Sequence, residues 1–147
     1  MIYLRPEQLA AFQERHDAGL LDRIVQHVTV EHADVVGGFP EPLVREMVGN
    51  GLVRARRHGL TWESSLTGFV SLMFTVAPNF DEQPAIRRVL MNDRLPPDEQ
   101  FELLQRIRDR HWRDAQHRYD ERAWFPELYD DDSEDGAPVV RIRRIQR

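Results

Sequence analysis

The 147-residue chain contains no cysteine and no lysine. Without cysteine it has no disulfide, no thiolate metal site and no thiol nucleophile, a composition that fits a reducing compartment. All 20 basic residues are arginines, which can pair bidentately with the 25 carboxylates. We therefore expect many ion pairs on the surface, although codon usage in a GC-rich genome is the simpler reason for the arginine excess.

Long apolar runs are also missing. The longest nearly apolar stretch, residues 69–77, is about half of the roughly 20 residues that span a bilayer. The amino terminus lacks the basic start and apolar run of a secretory signal. A net charge of −5 argues against general affinity for nucleic acid. We expect a cytoplasmic protein that binds neither membranes nor nucleic acid.

Apolar residues recur at helical spacing through most of the chain. At this length one domain is expected. The pattern predicts an all-α bundle of about five helices over residues 1–129, and a third helix that is apolar nearly all round belongs in its centre. The predicted helices start near Pro6 and then cover about residues 42–58, 62–76, 84–91 and 97–123, the last being the longest.

Turn residues and apolar spacing add local expectations. Gly19 is expected to weaken the first helix or break it in two. Gly59 lies where a helix commonly ends in the left-handed conformation, before the third helix. Asp81 is expected to cap a turn. On the third and last helices, Trp62 and Tyr119 are expected to be buried.

Beyond residue 129 the composition changes. Residues 130–135 carry five acidic side chains and residues 139–147 carry four arginines. Runs of like charge are usually disordered, so residues 130–147 are predicted to form a charged tail that is flexible or weakly docked. The β-branched residues near the end leave open an extended strand on a sheet edge.

The histidines do not form a recognisable metal motif. His27 and His32 are five residues apart, whereas two ligands on one helix face need a spacing of four. Asp114 and His117 form a single Asp-x-x-His, which is less than a di-iron bundle requires. We therefore predict no metal and no cofactor. A small metal-dependent enzyme remains the alternative, with His27, His32, His111 and His117 as the residues to examine.

Catalytic and nucleotide-binding motifs are also missing from the sequence. It contains no Gly-x-Ser-x-Gly, no Gly-x-Gly-x-x-Gly and no phosphate-binding loop. Ser64 and Ser65 lie on the predicted central helix, where small side chains serve packing. No catalytic residue is assigned.

One compact basic patch, residues 54–58, closes the second predicted helix. Positive charge is favoured there by the helix dipole, and an acidic partner or the acidic tail is the functional alternative. The predicted partner-binding residues come from this patch and the tail: Arg54, Arg56, Arg57, Asp130, Asp131, Asp132, Glu134, Asp135, Arg141, Arg143 and Arg144.

Four segments of the chain resemble a known group of proteins: residues 3–9 (YLRPEQL), 51–61 (GLVRARRHGLT), 69–74 (FVSLMF) and 78–81 (PNFD). They resemble a group of small helical bacterial proteins often encoded beside spike or effector genes of type VI secretion systems, over roughly residues 3–95. The matching residues are scaffold residues. The resemblance implies a non-enzymatic accessory protein that binds a secreted toxin or spike component, as an immunity protein, an effector chaperone or a loading adaptor. A structural homo-oligomer, such as a homodimer, is a further alternative.

Overall fold

The computed structural model describes residues 5–129, apart from the side chains of residues 8–16. Throughout this range the regular structure is helical, with no strand, which confirms the predicted all-α class. The α-helices are α1 (Pro6–Glu31), α2 (Ala33–Val36), α3 (Glu41–Arg57), α4 (Glu63–Thr75), α5 (Pro84–Leu90), α6 (Pro97–Glu102) and α7 (Asp109–His117). Short 3₁₀ turns lie at Phe80–Glu82, Leu103–Arg106, Glu121–Trp124 and Pro126–Leu128.

The chain divides into two units, Met1–Thr75 and Val76–Arg147. The first contains α1 to α4 and the second contains α5 to α7 with the 3₁₀ turns. In the described part of either unit, every helix is too short or too polar to cross a membrane.

Helix α1 continues through Gly19 without a break, so one of the two outcomes expected there does not occur. Leu20, Ile24 and Val28 follow at helical spacing and are all buried. A glycine inside a helix costs about 1 kcal/mol relative to alanine, whereas burying a large aliphatic side chain gains about 1.5–3 kcal/mol. Burial of this face therefore outweighs the local cost of the glycine.

Helices α3 and α4 pack closely against each other, and both contact α1. The inner face of α4 buries Leu66, Phe69, Val70 and Met73. Trp62 was expected to join this face, but it precedes the helix and is 46% exposed. Gly59 between the two helices has φ 84°, as the sequence predicted.

The second unit differs most from expectation, because the predicted long last helix is wrong. Helix α6 ends at Glu102, and Ile107 and Arg108 are extended, with ψ of 138° and 148°. A separate helix, α7, starts at Asp109. The break lets Trp112 on α7 lie against Phe80, with ring centroids 6.2 Å apart.

Tyr119 was predicted to be buried on the last helix, but α7 has already ended and its side chain is 52% exposed. Its hydroxyl accepts a hydrogen bond from the indole N–H of Trp124 over 3.2 Å. Trp124 is the residue that fills the interior, at 3% exposure.

Candidate functional site

The carboxyl end of α3 and the turn that follows form the most distinctive surface of the first unit. We call Arg54, Arg56, Arg57 and Trp62 the α3–α4 corner. Arg56 and Arg57 are exposed, and Arg54 is partly exposed. Trp62 is half-exposed and follows Arg57 by only five residues. The corner therefore combines cationic side chains with a large aromatic one.

Local contacts hold the turn between α3 and α4, which contains His58, Gly59 and Leu60. The backbone N–H of His58 caps α3 by bonding to the carbonyl of Ala55 over 3.0 Å, and Gly59 then reverses the chain. Leu60 is 2% exposed, and the His58 ring lies 5.5 Å from the ring of Phe69 on α4. These contacts hold Trp62 near the amino end of α4.

Arg56 is already paired within its own unit. Its Nη2 donates to Asp17 Oδ1 over 3.1 Å, and the two side chains are 42% and 54% exposed. A salt bridge this exposed contributes about 0–1 kcal/mol, because water solvates both charges well. An incoming carboxylate could therefore replace Asp17 at little cost.

Two further arginines form ion pairs within the first unit. Arg23 donates to both carboxylate oxygens of Glu63, over 2.8 and 2.9 Å. Arg45 bonds to Asp22 over 2.8 Å and to Glu41 over 3.1 Å. These side-chain hydrogen bonds raise the pKa of Arg23 and of Arg45. The ion pairs expected from the arginine content are thus present here.

His27 and His32 come together despite their five-residue spacing. Helix α1 ends at Glu31, and His32 has the non-helical torsions φ −121° and ψ 36°. The two rings are 6.0 Å apart, edge to face, although their spacing is not that of two metal ligands on one helix face.

The His32 ring also links this junction to α4. Its Nε2 lies 3.2 Å from Ser71 Oγ, and the ring stacks on Phe74 with centroids 6.3 Å apart. Ser71 lies inside α4, so this contact joins two parts of the first unit that are 39 residues apart. This contact could not be predicted from the sequence, because no local motif indicates it.

Among the described side chains, those of residues 5–7 and 17–129, no group of three or more histidines and carboxylates is arranged to hold a metal ion. His27 and His32 belong to the first unit, and His111 and His117 to the second. His111 Nδ1 lies 3.4 Å from Gln83 Nε2, and His117 is exposed at the end of α7.

A second polar cluster is buried at the start of the second unit. Asn79 is 6% exposed; its amide N–H donates to the carbonyl of Arg118 over 2.9 Å, and its carbonyl accepts from the N–H of Asp120 over 2.9 Å. It thereby holds the chain that leaves α7. Both bonds are to the backbone, so this cluster is part of the scaffold.

Gln83 performs two tasks in the same cluster. Its side-chain oxygen accepts from the N–H groups of Ala85 and Ile86 and so caps α5. Its amide donates to Asp114 over 3.0 Å. This hydrogen bond, together with the charge of Arg118, lowers the pKa of Asp114. Gln83 is a capping residue that sequence reasoning overlooked in favour of Asp81.

The other predicted partner-binding residues lie outside the described residues. They are Asp130, Asp131, Asp132, Glu134, Asp135, Arg141, Arg143 and Arg144.

Comparison with known proteins found no match. No protein-family model, curated protein or solved structure matches the chain.

Proposed function

We propose that this chain is a non-enzymatic accessory protein that binds another protein through the α3–α4 corner. The single observation that carries the proposal is the combination of Trp62, 46% exposed, with the cationic end of α3. Tryptophan and arginine are the residue types most enriched where protein interfaces gain their binding energy. The corner is therefore suited to a protein partner.

The charge of the corner defines the partner's chemistry. A guanidinium group pairs with carboxylates in a fork geometry, which favours a partner that presents Asp or Glu side chains. Arg56 can exchange Asp17 for such a group, because its present salt bridge is well exposed. An acidic surface with an apolar groove for Trp62 fits these properties.

The resemblance in residues 51–61, 69–74 and 78–81 supplies the biological setting of the proposal. In that setting the partner is a secreted toxin or a spike component of a type VI secretion system. The protein then serves as an immunity protein, an effector chaperone or a loading adaptor in the bacterial cytoplasm. All three roles need a stable complex and no chemistry of the chain's own.

Binding is preferred to catalysis because of how the polar side chains are used. Asn79 bonds to backbone, Gln83 bonds to a helix end, and His32 bonds to a neighbouring helix. These bonds support the fold, whereas the corner combines exposed arginines with a half-exposed tryptophan.

Co-purification with the products of the neighbouring genes, at low salt, tests the proposal. The wild-type chain is expected to retain one such product, and Trp62→Ala or Arg54→Glu is expected to weaken the complex at least tenfold. Arg94→Glu is the matched control, since Arg94 is exposed in the second unit. A wild-type chain that retains no neighbouring product would contradict the proposal, as would equal losses in the control.

A further inference from the structure

The outward face of α3 carries four residues in one stripe: Glu46, Gly49, Val53 and Arg57. At 3.6 residues per turn they fall within an arc of about 80°. The opposite side of the helix supplies the core, including Met47, Val48, Leu52 and Ala55. On the stripe, by contrast, Glu46 and Arg57 are exposed and Val53 is 50% exposed.

Nothing in the described part of the first unit explains why residue 49 is a glycine. Its φ is not positive, and a Cβ atom added there would meet no atom of the described structure within 4 Å. Gly51, two residues later, has a structural reason to be a glycine, because a Cβ atom there would be crowded. It would lie 3.1 Å from Met73 Sδ and 3.2 Å from Val70 Cγ2. Since glycine costs a helix about 1 kcal/mol relative to alanine, an external contact is the remaining use for Gly49.

If a second copy of the stripe is placed opposite the first and runs in the reverse direction, its charges and its shape complement those of the first copy. The stripe has a carboxylate towards the amino end of α3, a guanidinium at the carboxyl end, and a gap and an apolar side chain between them. Two midpoints along α3 nearly coincide: that between Glu46 and Arg57 and that between Gly49 and Val53. Their positions differ by half a residue, or less than about 1 Å along the helix axis. One two-fold axis at the level of Gly51 therefore brings each residue opposite its complement.

We propose that a second copy of this chain docks on the outward face of α3, so that the two α3 helices pack antiparallel. Val53 of each copy fills the space above the partner subunit's Gly49. Glu46 of each copy lies opposite the partner subunit's Arg57. Residues related in this way are what a symmetric dimer requires, because both subunits use the same patch.

Charge complementarity selects a second copy over an unrelated helix. An acidic partner alone would satisfy Arg57 and leave Glu46 facing a like charge. A reversed copy satisfies both ends. The contact of two helices is smaller than the roughly 1,200–2,000 Å² of stable interfaces, so a weak dimer that depends on concentration is expected.

Sedimentation equilibrium over a concentration series of the full chain tests the inference. The wild type is expected to move from a mass of 17.3 kDa towards twice that value. Glu46→Arg and Arg57→Glu are each expected to raise the dissociation constant at least tenfold, because each places like charges opposite one another. The double variant restores opposite charges, and its dissociation constant is expected to return to within about threefold of the wild type.

Gly49→Leu supplies an independent check, because its side chain occupies the space meant for Val53. It is expected to abolish the dimer without lowering the melting temperature of the monomer. Glu31→Arg, an equal charge change on an exposed side chain at the end of α1, is the control and should leave the dimer unchanged. A wild type that stays monomeric at millimolar concentration would overturn the proposal, as would a dimer insensitive to all three stripe variants.

The dimer does not depend on the accessory role. Arg57 belongs to both the stripe and the α3–α4 corner, so the two proposals are separated with residues that belong to one surface only. Trp62 and Arg54 lie off the stripe, so Trp62→Ala is expected to lose the acidic partner and keep the dimer. Glu46→Arg is expected to do the reverse. Failure of one proposal can thus be told from failure of the other.

Discussion

The side-chain amide of Gln83 donates to the carboxylate of Asp114 over 3.0 Å, while its oxygen caps α5. One buried side chain therefore ties the start of α5 to the middle of α7, although 31 residues separate the two partners. The second unit depends on this link and on the neighbouring bonds of Asn79.

Gln83→Ala is expected to lower the free energy of unfolding by about 2 kcal/mol. Loss of an N-cap costs about 0.5–2 kcal/mol, and the lost bond to Asp114 adds about 1 kcal/mol. Urea denaturation followed by circular dichroism measures the change. Gln105→Ala, at an exposed position, is the control and should change stability by less than about 0.5 kcal/mol. Equal effects of the two substitutions would show that Gln83 has no special role.

The pKa of Asp114 makes a prediction about acid stability. Because the hydrogen bond from Gln83 and the charge of Arg118 lower this pKa from 3.8, the ionised carboxylate favours the folded state. Its contribution is complete above pH 3.8 and is lost as the pH falls through the lower, folded-state value. Asp114→Asn should therefore show a shallower loss of stability between about pH 4 and pH 2. Unfolding measured across this range tests the prediction, and parallel curves for wild type and variant would refute it.

The two glycines of α3 form a matched pair for mutation. Gly49→Ala is expected to stabilise the fold by about 0.5–1 kcal/mol, since alanine favours the helix and the added methyl meets no atom of the described structure. Gly51→Ala gains the same propensity but crowds Met73 and Val70, which costs about 1–3 kcal/mol. Thermal unfolding of both variants should rank Gly49→Ala above wild type and Gly51→Ala below Gly49→Ala. The reverse order would mean that α3 and α4 are not in this close contact.

Asn79→Ala is expected to destabilise the second unit by about 2–3 kcal/mol, because it leaves the carbonyl of Arg118 and the N–H of Asp120 without their side-chain partner. Asn79→Asp keeps the acceptor but puts a carboxylate oxygen where the amide now donates to the carbonyl of Arg118 and to the carboxylate of Glu82, so a loss at least as large is expected. Hydrogen exchange of the Asp120 amide distinguishes them: it should become fast in the alanine variant and stay protected in the aspartate variant. An amide equally protected in both would contradict this account.

Some features of this protein follow from residue chemistry that acts over a few positions. Gly59 has the left-handed conformation expected of a glycine between two helices, and Pro84 follows the residue that caps its helix. In α3 the helical spacing of Met47, Val48, Leu52 and Ala55 agrees with their burial, because 3.6 residues per turn places every third or fourth side chain on one side. The exposed arginines of the α3–α4 corner were likewise visible in the sequence.

Tertiary contacts decided the rest. Apolar spacing over residues 97–123 predicts one helix, but the chain is extended at Ile107 and Arg108, and Trp112 on the separate helix α7 packs on Phe80. After α7, Asn79 bonds to the backbone of Arg118 and Asp120. At the break after α1, His32 bonds to Ser71, 39 residues away.

Gly49 and Gly51 show most clearly the difference between what the sequence determines and what the tertiary structure determines. In the sequence they are two glycines flanking one asparagine, and helix propensity treats them alike. The sequence by itself determined an all-helical chain, its Gly59 turn and its arginine-rich corner, because these depend on residues that are neighbours along the chain. Only the tertiary structure decided that Gly51 lies against α4 and Gly49 faces outward, since that difference depends on which atoms another helix brings near each position.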